Sequence, residues 1–307
     1  MDDGRDGKSR RQIDAEIELA LDTARATSAA DRAREARAER QVVEAQRARA
    51  RSRRRLRILA LVVVLACVGL YAYRDYHSRM ARNDWDHTLE VAIVLVDDGT
   101  VDRVAVEMLK NRTQALSDRL TLEAHRYAPD IPTPFHFTVK GPVQGGKAPP
   151  SPASTGFFAN AQHTWDLRQY TSAIDTLATL DPDVYDSRIY VSMRNGNHGG
   201  TVEGASQPNG RVGTVNVELD RTMIDSVLFV IAHELFHTLG ASDKYDDKGH
   251  CRVPEGLAEP DRAPLYPQAF AELMARNRAV GLGEEVMPAS LDELAVGLTT
   301  AKEIRWR

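Results

Sequence analysis

Cysteine is scarce: the chain of 307 residues holds two, Cys67 and Cys251. Cys67 lies inside an apolar run, so a disulfide between them is not expected and a disulfide framework is excluded. The main domain must then be held by a hydrophobic core or by a metal. A basic face is missing as well. Residues 1–57 carry 16 Lys/Arg against 11 Asp/Glu, a net of +5, while the remainder carries 24 against 33, a net of −9. An acidic main domain argues against nucleic acid as a partner, because neutralising phosphates needs a basic surface. Internal repeats are absent, and between residues 10 and 55 so are Pro and Gly.

That last segment is rich in Ala, Arg and Glu, which favours helix. Its apolar residues (Ile13, Ile17, Leu21, Val42 and Val43) are too sparse for sustained heptads. Residues 1–55 therefore read as a charged, solvated helical tail, with a coiled coil to a cytoplasmic partner as the other reading. The stretch ILALVVVLACVGLYAY (58–73) contains no charge. With its flanks it predicts a transmembrane signal anchor over 56–74, near the roughly 17-residue minimum for a bilayer-spanning helix. Arg47, Arg49, Arg51, Arg53, Arg54, Arg55 and Arg57 crowd in front of it, whereas only Arg74, Arg79 and Arg82 follow. By the positive-inside rule the N-terminus is expected in the cytoplasm and everything beyond Tyr73 outside. The long preceding segment and the Tyr-Ala-Tyr end do not fit a cleaved signal peptide.

After a juxtamembrane linker (75–85), residues 86–307 are expected to form one extracytoplasmic domain. LEVAIVLV (89–96), FHFTVKG (135–141), SRIYVSM (187–193) and RVGTVNVEL (211–219) read as strands, the last as an edge strand open to an extended peptide or as a plain structural strand. Helices are expected over 101–127, around 166–180 and over 222–239, with Asp220 and Thr222 as cap candidates for the last. The segments 141–156 and 195–210 read as Pro/Gly-rich loops, and 290–303 as all or part of a C-terminal helix. The order predicts an α/β or α+β fold.

Helix 222–239 carries HELFH (233–237). His233 and His237 stand four apart, so both imidazoles leave one face of the helix and can reach a single ion at roughly 2.0–2.1 Å. Glu234, one residue round from His233, is placed to touch a water on that ion, as a general base should. A catalytic zinc wants a third protein ligand. Gly240 ends the helix and, being free to take the left-handed conformation, turns the chain so that Asp243 can come back toward the imidazoles. The rivals are His250 and Cys251, close in sequence, and Glu255, Glu259 and Glu272, any of which could complete the site from downstream.

The pattern His-Glu-x-x-His-x-x-Gly-x-x-Asp resembles the metzincin clan of zinc peptidases. Its signature usually ends in a third histidine, with aspartate in some members. HELFHTLGASDKY is similar to bacterial membrane-anchored members of this type. The resemblance implies a twisted mixed sheet with an active-site helix, one catalytic Zn²⁺ and ligands His233, His237 and Asp243. It also implies a methionine turn below the ion, for which Met274 is favoured and Met287 is the alternative. The expected activity is hydrolysis of a peptide or protein substrate, in the periplasmic space of a bacterial inner membrane. Tyr245 and Tyr266 are candidate oxyanion donors, although a tyrosine near a site is more often packing. Two other readings stay open: an anchored binding or assembly protein with a structural or relic zinc site, and a zinc amidase acting on cell-wall peptide. With no cysteine ahead of the domain to supply a thiolate switch, cysteine-based latency is not expected.

Overall fold

The computed structural model describes residues 14–19, 21, 23, 27, 28, 34, 37, 54–74, 76, 82–145, 148–150, 157–196, 202–206 and 210–307. The chain divides into two compact units, Met1–Arg74 and Asp75–Arg307. In the first, residues 14–19 are helical, and most of the remaining tail lies outside the described residues, as does any partner-binding face on it. The helix α1 (Arg54–Arg74) has 21 residues and is long and apolar enough to cross a membrane. At 1.5 Å per residue it measures about 31 Å, close to the thickness of a bilayer's hydrocarbon core. Its leucines and valines are exposed, Leu65 by 73%.

The second unit is a mixed α/β fold. Its elements run β1 (Leu89–Asp97), α2 (Arg103–His125), β2 (Phe135–Gln144), α3 (Phe157–Ala178), β3 (Ser187–Asn195), β4 (Val202–Ser206), β5 (Val212–Leu219) and α4 (Ile224–Thr238). Short strands β6 (Ala271–Glu272), β7 (Arg278–Gly281), β8 (Glu284–Val286) and β9 (Leu294–Ala295) follow, and helix α5 (Leu298–Glu303) closes the chain. The main sheet has the order β2-β1-β3-β5-β4, parallel except for β4, which runs antiparallel to β5.

Strand alternation sorts the core into two layers. Val91, Ile93 and Leu95 of β1 join Ile189 and Val191 of β3 and Val215 and Val217 of β5 beneath α2 and α4. Ala92, Val94 and Val96 point the other way, with Tyr190, toward Ile174 of α3. Because both faces are covered, β1 is apolar at every central position, as a buried parallel strand must be. Trp85 is also in the first core, its Nε1 donating to the Ile304 carbonyl (2.8 Å). Asn83 Nδ2 donates to the Leu239 carbonyl at the end of α4 (2.8 Å). The end of the segment read as linker is therefore packed into the second unit.

Several expectations need correction. RVGTVNVEL is not an edge strand: β5 lies between β3 and β4. The edge is β4, inside the stretch read as loop, because VEGAS is too short and too small in its side chains to show a strand pattern. Helix α3 begins nine residues before the expected start, since its first turns bury little and leave no apolar stripe. The cap of α4 is Met223, without a side-chain bond; Asp220 instead accepts from the Thr222 amide (2.7 Å). Only Leu298–Glu303 of the C-terminal segment is α-helical, preceded by a 3-10 turn at Leu291–Glu293 and by β9.

Candidate metal centre

Helix α4 is apolar nearly all round, so its last two turns are driven into the core and carry His233, Glu234 and His237 with them. All three are buried, and they form a group able to hold a metal ion. Each imidazole is oriented by a backbone carbonyl. Leu273 O lies 3.0 Å from His233 Nδ1, and Ala241 O lies 2.9 Å from His237 Nδ1. A carbonyl can only accept, so in the neutral rings the proton sits on Nδ1 and Nε2 presents a lone pair. The two Nε2 atoms face each other at 3.1 Å.

Gly240, at φ 100°, then reverses the chain. Its amide bonds His237 O, and the Ala241 amide bonds Phe236 O, each at 3.0 Å. The reversal brings Asp243 Oδ1 to 3.3 Å from His233 Nε2 and 3.1 Å from His237 Nε2. With neutral imidazoles, Oδ1 is buried and receives no hydrogen bond. Three lone-pair atoms thus converge on one point, which is tolerable only if a cation or a shared proton sits among them. Burial by itself raises the Asp243 carboxyl, but the two imidazoles pull it far below the ordinary carboxylate range. Burial lowers His237, and the Asp243 and Glu234 carboxylates outweigh that and raise it.

Glu234 points from the same turn toward the sheet edge. A Cβ on Gly204 would collide with the Glu234 carboxylate, so a larger residue would push that side chain out of this place. The Ser206 hydroxyl donates to Glu234 Oε2 and, at 3.2 Å, contacts its backbone carbonyl. Strand β4 therefore forms one wall of a cleft of about 180 Å³, which His233, Glu234, His237, Asp243, Tyr245 and Arg276 also line.

The turn carrying Asp243 is held from both sides. Lys244 is 2% exposed; its Nζ donates to both Glu303 oxygens (2.8 and 2.7 Å) and to Ser242 Oγ (2.8 Å). The Ser242 amide donates to Glu303 Oε2 (3.0 Å), and the Lys244 amide to the Met274 carbonyl (2.9 Å). Met274 is fully buried in the 3-10 turn Leu273–Ala275, whose first carbonyl orients His233. Met287 is 52% exposed and does not underlie the histidines.

The rival ligands lie outside the cleft. Glu272 is buried, accepting from the Met274, Ala275 and Gly297 amides and from Thr300 Oγ1. Glu259 Oε2 accepts from Arg262 and from the Ala269 amide. Glu255 and His250 are exposed, away from the cleft lining. Cys251 Sγ meets the Gly256 carbonyl at 2.9 Å, and burial pushes its thiol up to about 12. Tyr245 stacks on His233 with ring centroids 6.3 Å apart. Burial and then the Asp243 carboxylate push its phenol up to about 12, so it keeps its proton as a donor. Tyr266 is not among the cleft residues. The sequence reading missed Gly204, Ser206, Lys244 and Glu303. The only local signal was the lysine next to Asp243, and its partner lies 59 residues away.

A scan against protein-family models and a search of curated proteins both returned no match for this chain.

Proposed function

We propose that Asp75–Arg307 is a zinc-dependent peptidase of the metzincin type, anchored by α1 on the outer side of a bacterial inner membrane. The observation that carries this reading is the convergence of two imidazole Nε2 atoms and one carboxylate oxygen within 3.1–3.3 Å of one another. Ligands at roughly 2.0–2.1 Å from a tetrahedral centre stand about 3.3–3.4 Å apart, so the set fits zinc with one position left open. A hard ion such as Ca²⁺ takes oxygen ligands, which two imidazoles do not supply. Glu234 beside this set has no use in a purely structural site, which favours an enzyme over a relic. The mixed sheet beneath the motif helix and the buried turn at Met274 are in keeping with the resemblance.

An ion held by His233, His237 and Asp243 would supply Lewis acidity toward a scissile carbonyl and would acidify a water. Glu234 accepts the proton of the attacking water and returns it to the leaving amine. Ser206 fixes the Glu234 carboxylate during this exchange. The Tyr245 phenol donates to the oxygen that gains charge. The edge strand β4 receives an extended peptide by strand addition, bringing its backbone alongside Glu234. Arginines dense before α1 and sparse after it favour a cytoplasmic N-terminus.

The test uses the full chain in detergent, with metal content and cleavage of a denatured protein measured together. Glu234→Ala is expected to keep its metal and lose cleavage; equal cleavage by both proteins would sink the peptidase reading. Asp243→Ala is expected to lose the ion, and full occupancy would overturn its assignment as a ligand. Protease added outside spheroplasts should remove the second unit, whereas its survival would reverse the topology.

A further inference from the structure

A second cavity of about 380 Å³ adjoins the metal cleft and shares Val230, His233, Tyr245 and Arg276 with it. Phe229, Met287 and Pro288 give it apolar walls, while its charged lining consists of Arg276 and Lys248, with no carboxylate. Neither cation makes an ion pair among the described residues. Asp246 Oδ1 accepts from the Lys248 and His250 amides, and Glu285 Oε1 from the Cys251 amide; Asp247, next to Lys248, is exposed and outside the cavity lining. Arg276 follows the buried turn Leu273–Ala275 at φ 70°, a conformation disfavoured for any residue bearing a Cβ. It sets the guanidinium 5.6 Å from the centroid of the Tyr245 ring.

We propose that this cavity selects substrates bearing a carboxylate beside the bond to be cut, with Arg276 and Lys248 as the specificity-determining residues. The inference rests on the peptidase reading and names its substrate class. An acidic residue suits both linings, its methylenes lying against Phe229 and Met287 and its carboxylate meeting the planar guanidinium fork. An uncharged side chain of equal size would shield the two cations from water without pairing them. A free C-terminal carboxylate offers the same chemistry as an acidic side chain.

The test uses the zinc-loaded full chain in detergent and alanine-based hexapeptides with Glu, Gln or Lys at one position at a time. Each is made with a free and an amidated C-terminus. Turnover of the best Glu peptide should exceed that of its Gln counterpart by roughly tenfold in kcat/KM, the size of a partly screened charge-assisted hydrogen bond. If the terminal carboxylate is the one recognised, the Glu and Gln peptides will be cut alike and amidation will lower the turnover of both by that factor. Arg276→Glu combined with Lys248→Glu should transfer the preference to Lys; Lys248→Glu alone, on an exposed turn, should weaken it. Equal turnover of all peptides, free and amidated, would overturn the proposal. Calorimetric binding to Glu234→Ala protein separates the two readings. Preferential binding of the carboxylate peptides with no cleavage by wild type would reject the peptidase but keep the cavity's assignment; indifferent binding would reject the cavity's assignment.

Discussion

On the α3 face of the sheet, Asp175 accepts from Arg188 Nη1 at 2.6 Å and from Tyr190 Oη at 2.5 Å. On the α4 face, Asp243 sits against two imidazole nitrogens whose protons are turned away toward carbonyls. Glu272 resembles the first case, with four protein donors gathered round it. A buried carboxylate surrounded by donors is already satisfied and has only structure to offer. One whose oxygen faces other lone pairs is open to a cation, and Lys244 and Glu303 hold the turn that carries it. Asp175 and Glu272 are buried whole, whereas Asp243 keeps 39% of its side chain exposed and covers only the Oδ1 that faces the imidazoles; the sign of the neighbouring dipoles separates that oxygen from the other two carboxylates.

The largest effects should come from exchanging these roles. Asp243→Ala is expected to weaken zinc binding by at least about a hundredfold, because the ion would lose one of its three proposed ligands. Wild type should gain about 2.7 kcal/mol of stability from zinc at a hundred times its Kd, and the variant should gain almost none at that concentration. Glu272→Ala should do the reverse. With three amides and a hydroxyl left without an acceptor, it should cost roughly 3–5 kcal/mol in urea denaturation. Its remaining folded fraction should bind zinc normally. Asp175→Asn, which keeps the volume but leaves Arg188 with a weaker partner, should cost about 2 kcal/mol and leave metal content unchanged. Loss of zinc in either of these two variants, under conditions where they stay folded, would erase the distinction.

Not all of this could be seen in the sequence. The apolar strands, the motif helix and the turn at Gly240 were legible because each is specified within a dozen residues by periodicity or by a single backbone requirement. Asp243 was legible for the same reason, lying three residues beyond the turn. Strand β4 was not, since its central glycine looks like a breaker and is explained only by the Glu234 carboxylate packed over it. The clamp between Lys244 and Glu303 and the donors round Glu272 join residues 25 or more positions apart, apart from two local amides. Nothing in their local sequence tells a structural acid from a ligand. The helix cap failed for a related reason, as Asp220 bonds the amide before α4 rather than one inside it.

The mildest test concerns an acid that is neither deeply buried nor unsatisfied. Asp225, in the first turn of α4, accepts from Arg112 Nε at 2.9 Å and Nη2 at 3.0 Å, tying α2 to the helix that carries the histidines. The Arg112 hydrogen bond holds its carboxyl below the ordinary value of 3.8. A lowered folded pKa means that the unfolded chain takes up the proton first. The stabilisation is therefore complete above pH 3.8 and is lost as pH falls through the folded value. The arginine is 44% exposed, so water screens the pair and Arg112→Gln should cost less than about 1 kcal/mol at neutral pH. That difference should shrink as the pH is lowered from 5 to below 3 in urea titrations. A gap that stayed constant across that range would assign the contact to packing of the arginine stem, leaving charge at this end of α4 without a part in holding the helix.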